Sequence, residues 1–463
     1  MPPAPFVPSP QRARILLLVV FTLLGFLLSG WLSRVPSVRD ALGLTPSALG
    51  TVLLFASLGT LASTLMAGYV NARFGGSLVM RVSAFVQALG YVAIGVSTVI
   101  GSVSLLVLGV TLQGVAFAPV NVAINVEAAG VERRLGRSVM PQFHALFSIG
   151  AVAGAGFGAA ASYLGVPVVW QLGVAGVLGA AVQLACVRGI VNDTRVDRVA
   201  KGAAGRAARA QHRGGAARAS LRVWTERRTL LLGLVVLAAA LSEGSANQWI
   251  PLAVVDGFGT LEAVGATVLT VFTASMTIVR LLGTRLLDRF GRVVVLRGSG
   301  IAALTGLLLF VLAPSFPLAV AGVSLWGLGA ALAYPITLAA ASDDPVRAAA
   351  RVSVVTAFAS IARLCAPPAI GALGEVVGIR EALAIIAGGL VLSIILAHQA
   401  RREQAPDDDD AAAPSTPVLD ATVLDAPVLD TAALDATVID LDVLDPPPLA
   451  ADPTGGPTAS TSR

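Results

Sequence analysis

The sequence predicts an all-α membrane protein, with twelve transmembrane helices in two pseudo-symmetric six-helix bundles. Three observations carry that prediction. Of the 463 residues, 56% are hydrophobic and only 13% charged, a balance foreign to soluble chains of this length. Uncharged runs recur throughout, each close to the about 20 residues that cross a hydrocarbon core of about 30 Å. Finally, "GYVNARFGG" at 68–76 returns as "TRLLDRFGR" at 284–292, with Arg73 and Arg289, Phe74 and Phe290, and Gly75 and Gly291 all separated by one and the same offset. A constant offset between two long apolar series marks a duplication.

The first run covers 15–33, between Arg14 and Arg34. It is too long for the apolar region of a signal peptide and ends without a small-residue cleavage site, so it reads as a retained helix. The remaining spans fall at 47–70, 82–98, 103–126, 140–163, 166–187, 229–251, 263–284, 298–315, 317–340, 352–374 and 382–398. In the fifth, Gly150, Gly154 and Gly158 recur every four residues. That spacing opens one face to a closely packed neighbour, either a moving helix or a core partner.

Charge sets the orientation. Connections on one side hold Arg12, Arg14, Arg73, Arg81, Arg133, Arg134, Arg137, Arg285, Arg289, Arg292, Arg297, Arg347, Arg351, Arg401 and Arg402; the other side holds only Arg34, Arg39 and Arg380. Positive residues stay inside, so both termini are expected to be cytoplasmic. A single lysine, Lys201, points to a genome poor in A and T, and so to a bacterial inner membrane. The expected organisation is a first bundle over 1–187, a basic cytoplasmic linker over 188–228, a second bundle over 229–402 and an acidic tail over 403–463. The linker carries eleven Lys/Arg against three acids, which contact with anionic lipid explains without invoking nucleic acid. The tail holds thirteen acids and one base, leaving 31 basic against 14 acidic residues ahead of it. Its core repeats Val-Leu-Asp every five residues, from Val418 to Asp445. That period fits neither helix nor strand, so the tail is expected to be disordered and to fold back on the linker.

Ionisable residues within spans are costly, by about 2.5–3.5 kcal/mol, and default to functional candidates. Glu243 and Arg363 lie deepest. Asn247 follows Glu243 by one turn, and Asn121 with Asn125 makes a matching polar stripe in the first half; such stripes bind solutes or glue helices. Glu127 and His144 flank one cytoplasmic loop at similar depth, and are candidates either for a paired, titrating gate or for capping that loop. Arg280, near its expected helix end, is expected to snorkel to the interface. Cys186 and Cys365 read as apolar fillers, and neither a metal site nor a cofactor site is legible. No Gly-x-x-x-x-Gly-Lys-Ser/Thr loop occurs, which argues against ATP hydrolysis by this chain.

The repeated phrase resembles the loop signature of the major facilitator superfamily: Gly, three variable residues, Asp-Arg, an apolar residue, Gly, then basic residues. The second copy matches in Asp288, Arg289, Phe290, Gly291 and Arg292, with Thr284 at the leading Gly. The first matches in Gly68, Arg73, Phe74 and Gly75, with Ala72 for the acid and Gly76 for the base. The stretches "WLSRVPSVRDALGLTPSALG", "NVAINVEAAGVERRLGRSVMPQFHALFSIGA" and "EGSANQWIPLAVVDG" resemble a bacterial branch near the fucose permeases. Pro119 and Pro335, related by the same offset as the loop phrases, are placed where helices break near a central site in such proteins. The resemblance implies that Gly68, Arg73, Gly75, Asp288, Arg289, Gly291 and Arg292 form conformational-switch loops. Known coupling schemes do not carry over: Phe117 stands where fucose permeases have Glu, and Val110 and Ala155 interrupt the antiporter motifs.

The resemblance therefore implies a secondary transporter working by alternating access. A proton is the expected coupling ion, and a sugar or related polar metabolite the favoured substrate. A monomer in contact with membrane lipid is expected. The competing readings are an efflux antiporter and a non-transporting sensor with the same fold.

Overall fold

The computed structural model describes residues 9–136, 139–190, 223–344 and 347–402; most of the linker and the acidic tail, and with them the repeat and its expected contact, lie outside these. Long helices dominate because uncharged runs in lipid must satisfy every backbone group internally. The first half contains α1 (Pro10–Leu32), α2 (Val35–Leu42), α3 (Pro46–Phe74), α4 (Gly76–Ile100), α5 (Val103–Leu135), α6 (Met140–Tyr163) and α7 (Val168–Ile190). The second contains α8 (Arg227–Phe258), α9 (Glu262–Leu312), α10 (Phe316–Ala330), α11 (Ala333–Ala341), α12 (Ala348–Val377), α13 (Ile379–Ala382) and α14 (Ile385–Leu396).

Among the described residues eleven stretches are long and apolar enough to cross a membrane, and one of them, α9, is 51 residues long. It bends at Gly291, so it supplies two crossings and brings the total to the expected twelve. The amphipathic α2 is the connection between the first two spans and crosses nothing.

The duplication is visible in the backbone. Gly75 (φ 80°, ψ 148°) and Gly291 (φ 75°, ψ 162°) adopt one conformation, which a residue with a Cβ rarely enters. Each turns the chain from one span into the next. Beside them Arg73 lies 5.7 Å from the Phe74 ring centre and Arg289 lies 5.3 Å from that of Phe290. The interface between halves follows the same symmetry: α3 meets α12, and α6 meets α9.

The two prolines behave differently. The fourth span of the first half, α5, runs unbroken through Pro119, contrary to the expected break. The fourth span of the second half does break, between α10 and α11. Pro335 has no N–H to offer Ala331, four residues earlier, and the freed Ala331 carbonyl accepts from Arg280 Nε at 3.3 Å.

The glycine ridge of α6 packs on α1. A Cβ at Gly150 would stand 2.0 Å from the Thr22 carbonyl oxygen, and one at Gly154 2.1 Å from that of Phe26. This seam lies inside the first half, so of the two readings of the spacing the structure favours fixed core packing.

Candidate functional site

The halves are fastened at one end. At the end away from the Gly75 and Gly291 turns, Glu262 at the start of α9 gathers residues of the first half. It accepts from the Ser37 amide at 2.8 Å, from the Ser37 hydroxyl, and from Ser162 Oγ at 2.6 Å. Arg34 Nε stands 3.1 Å from it. Arg34 is 4% exposed, and also donates to Gln171 Oε1 at 2.6 Å and the Val166 carbonyl at 3.1 Å. Burial lowers the Arg34 pKa and the Glu262 carboxylate opposes that fall. Arg39 pairs with Asp256 at 2.5 Å, and Ser47 donates its amide to Glu375 at 3.2 Å. Sequence reasoning took Arg34 and Arg39 only as topology markers and passed over Glu262, Asp256 and Glu375. Each of these pairs joins one half of the chain to the other, beyond the reach of any local pattern.

At the opposite, arginine-rich end the second half carries ion pairs of its own. Asp343 accepts from Arg292 at 2.7 Å and Arg228 at 3.2 Å. Glu226 caps the same end with Arg351, Arg347 and Thr229. Burial pushes the Glu226 pKa up, but its bonds from Arg351 and Thr229, with the charges of Arg351 and Arg347, bring it below the usual value. Of the expected switch residues, Arg292 alone forms such a bridge among the described residues. Asp288, Arg289, Gly68 and Arg73 are exposed.

Between these ends lies a cleft whose walls can be read from exposure. On α12, Ile361 and Cys365 are exposed on the outer face. Arg363 sits on the opposite face, with buried Ala359 and Ile370, yet it too is exposed. An exposed side chain on an inward face borders an open cleft. By the same argument Glu243, Asn247 and Gln248 are half-buried on α8, an otherwise enclosed helix. Asn121 and Asn125 are half-buried on the face of α5 that points away from outward-facing Val115 and Val126.

Glu243 does not stand alone. Arg280 Nη2 reaches both of its oxygens, at 3.0 and 2.9 Å. The expectation that Arg280 snorkels is thus overturned. Its helix does not end nearby but continues to Gly291, so the guanidinium turns inward to an acid instead. The signal was available: a deep Glu and an Arg in successive spans are each other's cheapest partner. Asn247 donates to the Glu243 carbonyl at 2.9 Å, and Asn125 to the Asn121 carbonyl at 2.8 Å and its side-chain oxygen at 3.1 Å. Each stripe is therefore braced within its own helix. Arg363 stacks on Tyr334, 6.0 Å from the ring centre.

Among the described residues no hydrogen bond or ion pair joins Glu127 directly to His144. Glu127 is 6% exposed and lies beside Gly76. His144 is exposed, packs edge-on to Phe21 at 5.7 Å, and lies within Coulombic reach of Arg280 across the cleft. A separate cavity of about 470 Å³ among α3, α4 and α5 is lined by Met66, Val70, Val82 and Pro119. It is almost wholly apolar and has no polar group to orient a solute.

Residues 13–352 and 232–434 match the profile of the Major Facilitator Superfamily. The chain belongs to that superfamily. It is 33% identical over 383 residues to an uncharacterized transporter, y4wD, of Sinorhizobium fredii, covering 81% of this chain and 95% of that protein. It is 26% identical to the membrane protein MosC of Rhizobium meliloti, covering 81% and 86%. Among solved structures, the nucleoside transporter NupG superimposes with a TM-score of 0.65 at 15% identity, covering 84% of this chain and 100% of that one. The fucose:proton symporter FucP of E. coli gives 0.57 at 17% identity, covering 85% and 98%. At such low identity the two structural likenesses establish the fold alone, and the family makes the chain a multi-pass membrane transporter.

Proposed function

We propose that this protein carries a small polar solute across a bacterial inner membrane by alternating access, coupled to protons through Glu243. The observation that carries the reading is the Glu243–Arg280 pair, half-exposed in a cleft between the halves. A carboxylate in a span is stable when its charge is matched, and protonation frees its partner. Such an exchange gives a proton a differential effect on two states, which is what coupling requires.

Charge distribution supports a cytoplasmic assignment for the arginine-rich end and both termini. In that frame the Glu262 clamp closes the periplasmic end, and the conformation described here opens toward the cytoplasm. The Arg292–Asp343 bridge and the Gly75 and Gly291 turns belong to the switch loops, and Asn121, Asn125, Asn247 and Arg363 to the substrate walls. Glu127 and His144 stand on the cytoplasmic side of the first half as gate residues. Lipid, a proton and one small molecule are the partners of a monomeric transporter.

The test is counterflow and pH-driven uptake in proteoliposomes holding the full chain. Glu243→Gln should abolish accumulation driven by a pH gradient while leaving the purified, reconstituted yield unchanged. Undiminished proton-driven accumulation in that variant removes Glu243 from coupling.

A further inference from the structure

The cleft is unbalanced in charge. Arg280 spends Nε on Ala331 and Nη2 on Glu243, leaving its Nη1 donors without a protein partner among the described residues. Arg363 has the Tyr334 ring and, among the described residues, no carboxylate within salt-bridge distance and no hydrogen-bonded acceptor. Two guanidiniums thus share one acid in the middle of the spans. A guanidinium held there without an anion is costly, and its planar fork matches a carboxylate.

Among the described residues no second carboxylate is bonded to either arginine. Arg280 reaches the chain at Ala331, three residues before Tyr334, whose ring carries Arg363 of α12, and the charge of Arg280 is felt by His144 of α6. The helices α10 and α14, which also pack on α8 or α9, carry no charged side chain. In α13, Arg380 and Glu381 pair with each other at 3.0 Å near the Glu262 end. His398, beyond α14, bonds Gln399. What the walls do supply, besides positive charge, are amides: Asn247 and Gln248 on α8, Asn121 and Asn125 on α5. Amides donate to and accept from hydroxyls.

We propose that the substrate is a small hydroxylated carboxylate, an acid of the sugar or polyol class, held by Arg363 and Arg280 through its carboxylate and by the amides through its hydroxyls. The proposal rests on the transport reading above and deepens it. A neutral solute leaves Arg363 uncompensated, and a cationic one is repelled by the two arginines. Glu243 competes with the incoming carboxylate for Arg280. When the substrate takes that guanidinium, Glu243 accepts one proton from the water of the cleft. One anion and one proton then cross together, and no net charge moves.

The experiment uses the full chain, first in detergent and then in proteoliposomes, with D-gluconate and D-glucuronate as probes against D-glucose and D-glucosamine. The acids are expected to raise the thermal midpoint, and Arg363→Gln to cut their apparent affinity at least tenfold. Arg363→Lys should restore part of that affinity, which a merely structural role would not predict. Uptake of the acid should follow a pH gradient and ignore a potassium–valinomycin potential. Equal stabilisation by glucose, unchanged acid binding in Arg363→Gln, or no response to either acid overturns the proposal. Proton-driven flux of the neutral sugar with none of the acid would sink the substrate class while leaving the transport reading intact; failure of every solute to move, with an acid still binding through Arg363, would sink the transport reading and keep the anion site.

Discussion

The two halves share a skeleton and differ in chemistry. At the offset that lays one loop phrase on the other, Arg292 and Asp343 of the second half correspond to Gly76 and Glu127 of the first, and Arg280 corresponds to Thr64. The backbone turn is the same in both halves, because Gly75 and Gly291 hold closely similar φ and ψ. The ion pairs are not. In the second half Asp343 ties α9 to the start of α8, and Arg280 ties α9 to Glu243. In the first half Gly76 brings no charge to Glu127, and Thr64 turns its hydroxyl to the Thr60 carbonyl of its own helix at 2.7 Å. Duplication therefore preserved what backbone geometry demands and left side-chain electrostatics free to diverge. In the second half these pairs tie α8 and α9 together, while in the first the seam of α1 on α6 relies on close backbone approach.

The strongest way to break this contrast is to spoil that seam. Gly154→Leu places its side chain against the Phe26 carbonyl, where even a Cβ would be 2.1 Å away. Overpacking commonly costs about 1–3 kcal/mol, and here the clashing atoms are backbone and cannot swing aside. The folded yield and thermal midpoint of this variant should fall sharply. Gly173→Leu, where no atom lies within 4 Å of the added Cβ, should behave like the parent. If both variants melt together, the first half is not held by that seam.

The fold was legible because its determinants are long or repeated. Span lengths, arginine placement and the doubled loop phrase each average over many residues, and lipid leaves the backbone few alternatives. The site was legible only in part. Glu243 and Arg363 stood out because charge deep in a span is rare. Arg280 reads as an interfacial residue because its apolar run ends soon after it, whereas α9 continues through Arg285 and Arg289 to Gly291. The Glu262 clamp was missed for a different reason. Its partners Arg34, Ser37 and Ser162 come from the other half, and only folding brings them together. Pro119 shows the opposite error: a residue that breaks helices in general sits inside α5 without interrupting it, and the local rule yielded to the packing around it.

A smaller effect sharpens the contrast through pH. Glu226 fastens α8 to Arg351 and Arg347 of the second half, and those partners hold its pKa below the ordinary value despite burial. A depressed carboxylate contributes stability above its unfolded pKa of about 4.3, and that stability fades as pH falls through the folded value. Glu226→Gln should therefore lower the thermal midpoint at pH 7, by on the order of 1 kcal/mol in stability. The gap from the parent should narrow steadily below about pH 4.3. A gap that persists unchanged in acid would mean that Glu226 acts by shape rather than charge.

The smallest effect is a transplant. Gly76→Arg gives the first half the counterpart of Arg292, at a position where an added Cβ stands 3.4 Å from Glu127 Oε1, an ordinary contact. Gly76 begins α4 without a left-handed φ, so replacing it also removes the entropy that glycine loses on entering a helix. A partly screened ion pair adds roughly 0.2–1 kcal/mol, and the helix gain is roughly 0.5–1 kcal/mol. The thermal midpoint should therefore rise slightly at low salt, and part of the rise should disappear at high salt. A drop would show that the surroundings of Glu127 leave no room for a guanidinium there, and that the symmetry of the two turns does not extend to their side chains.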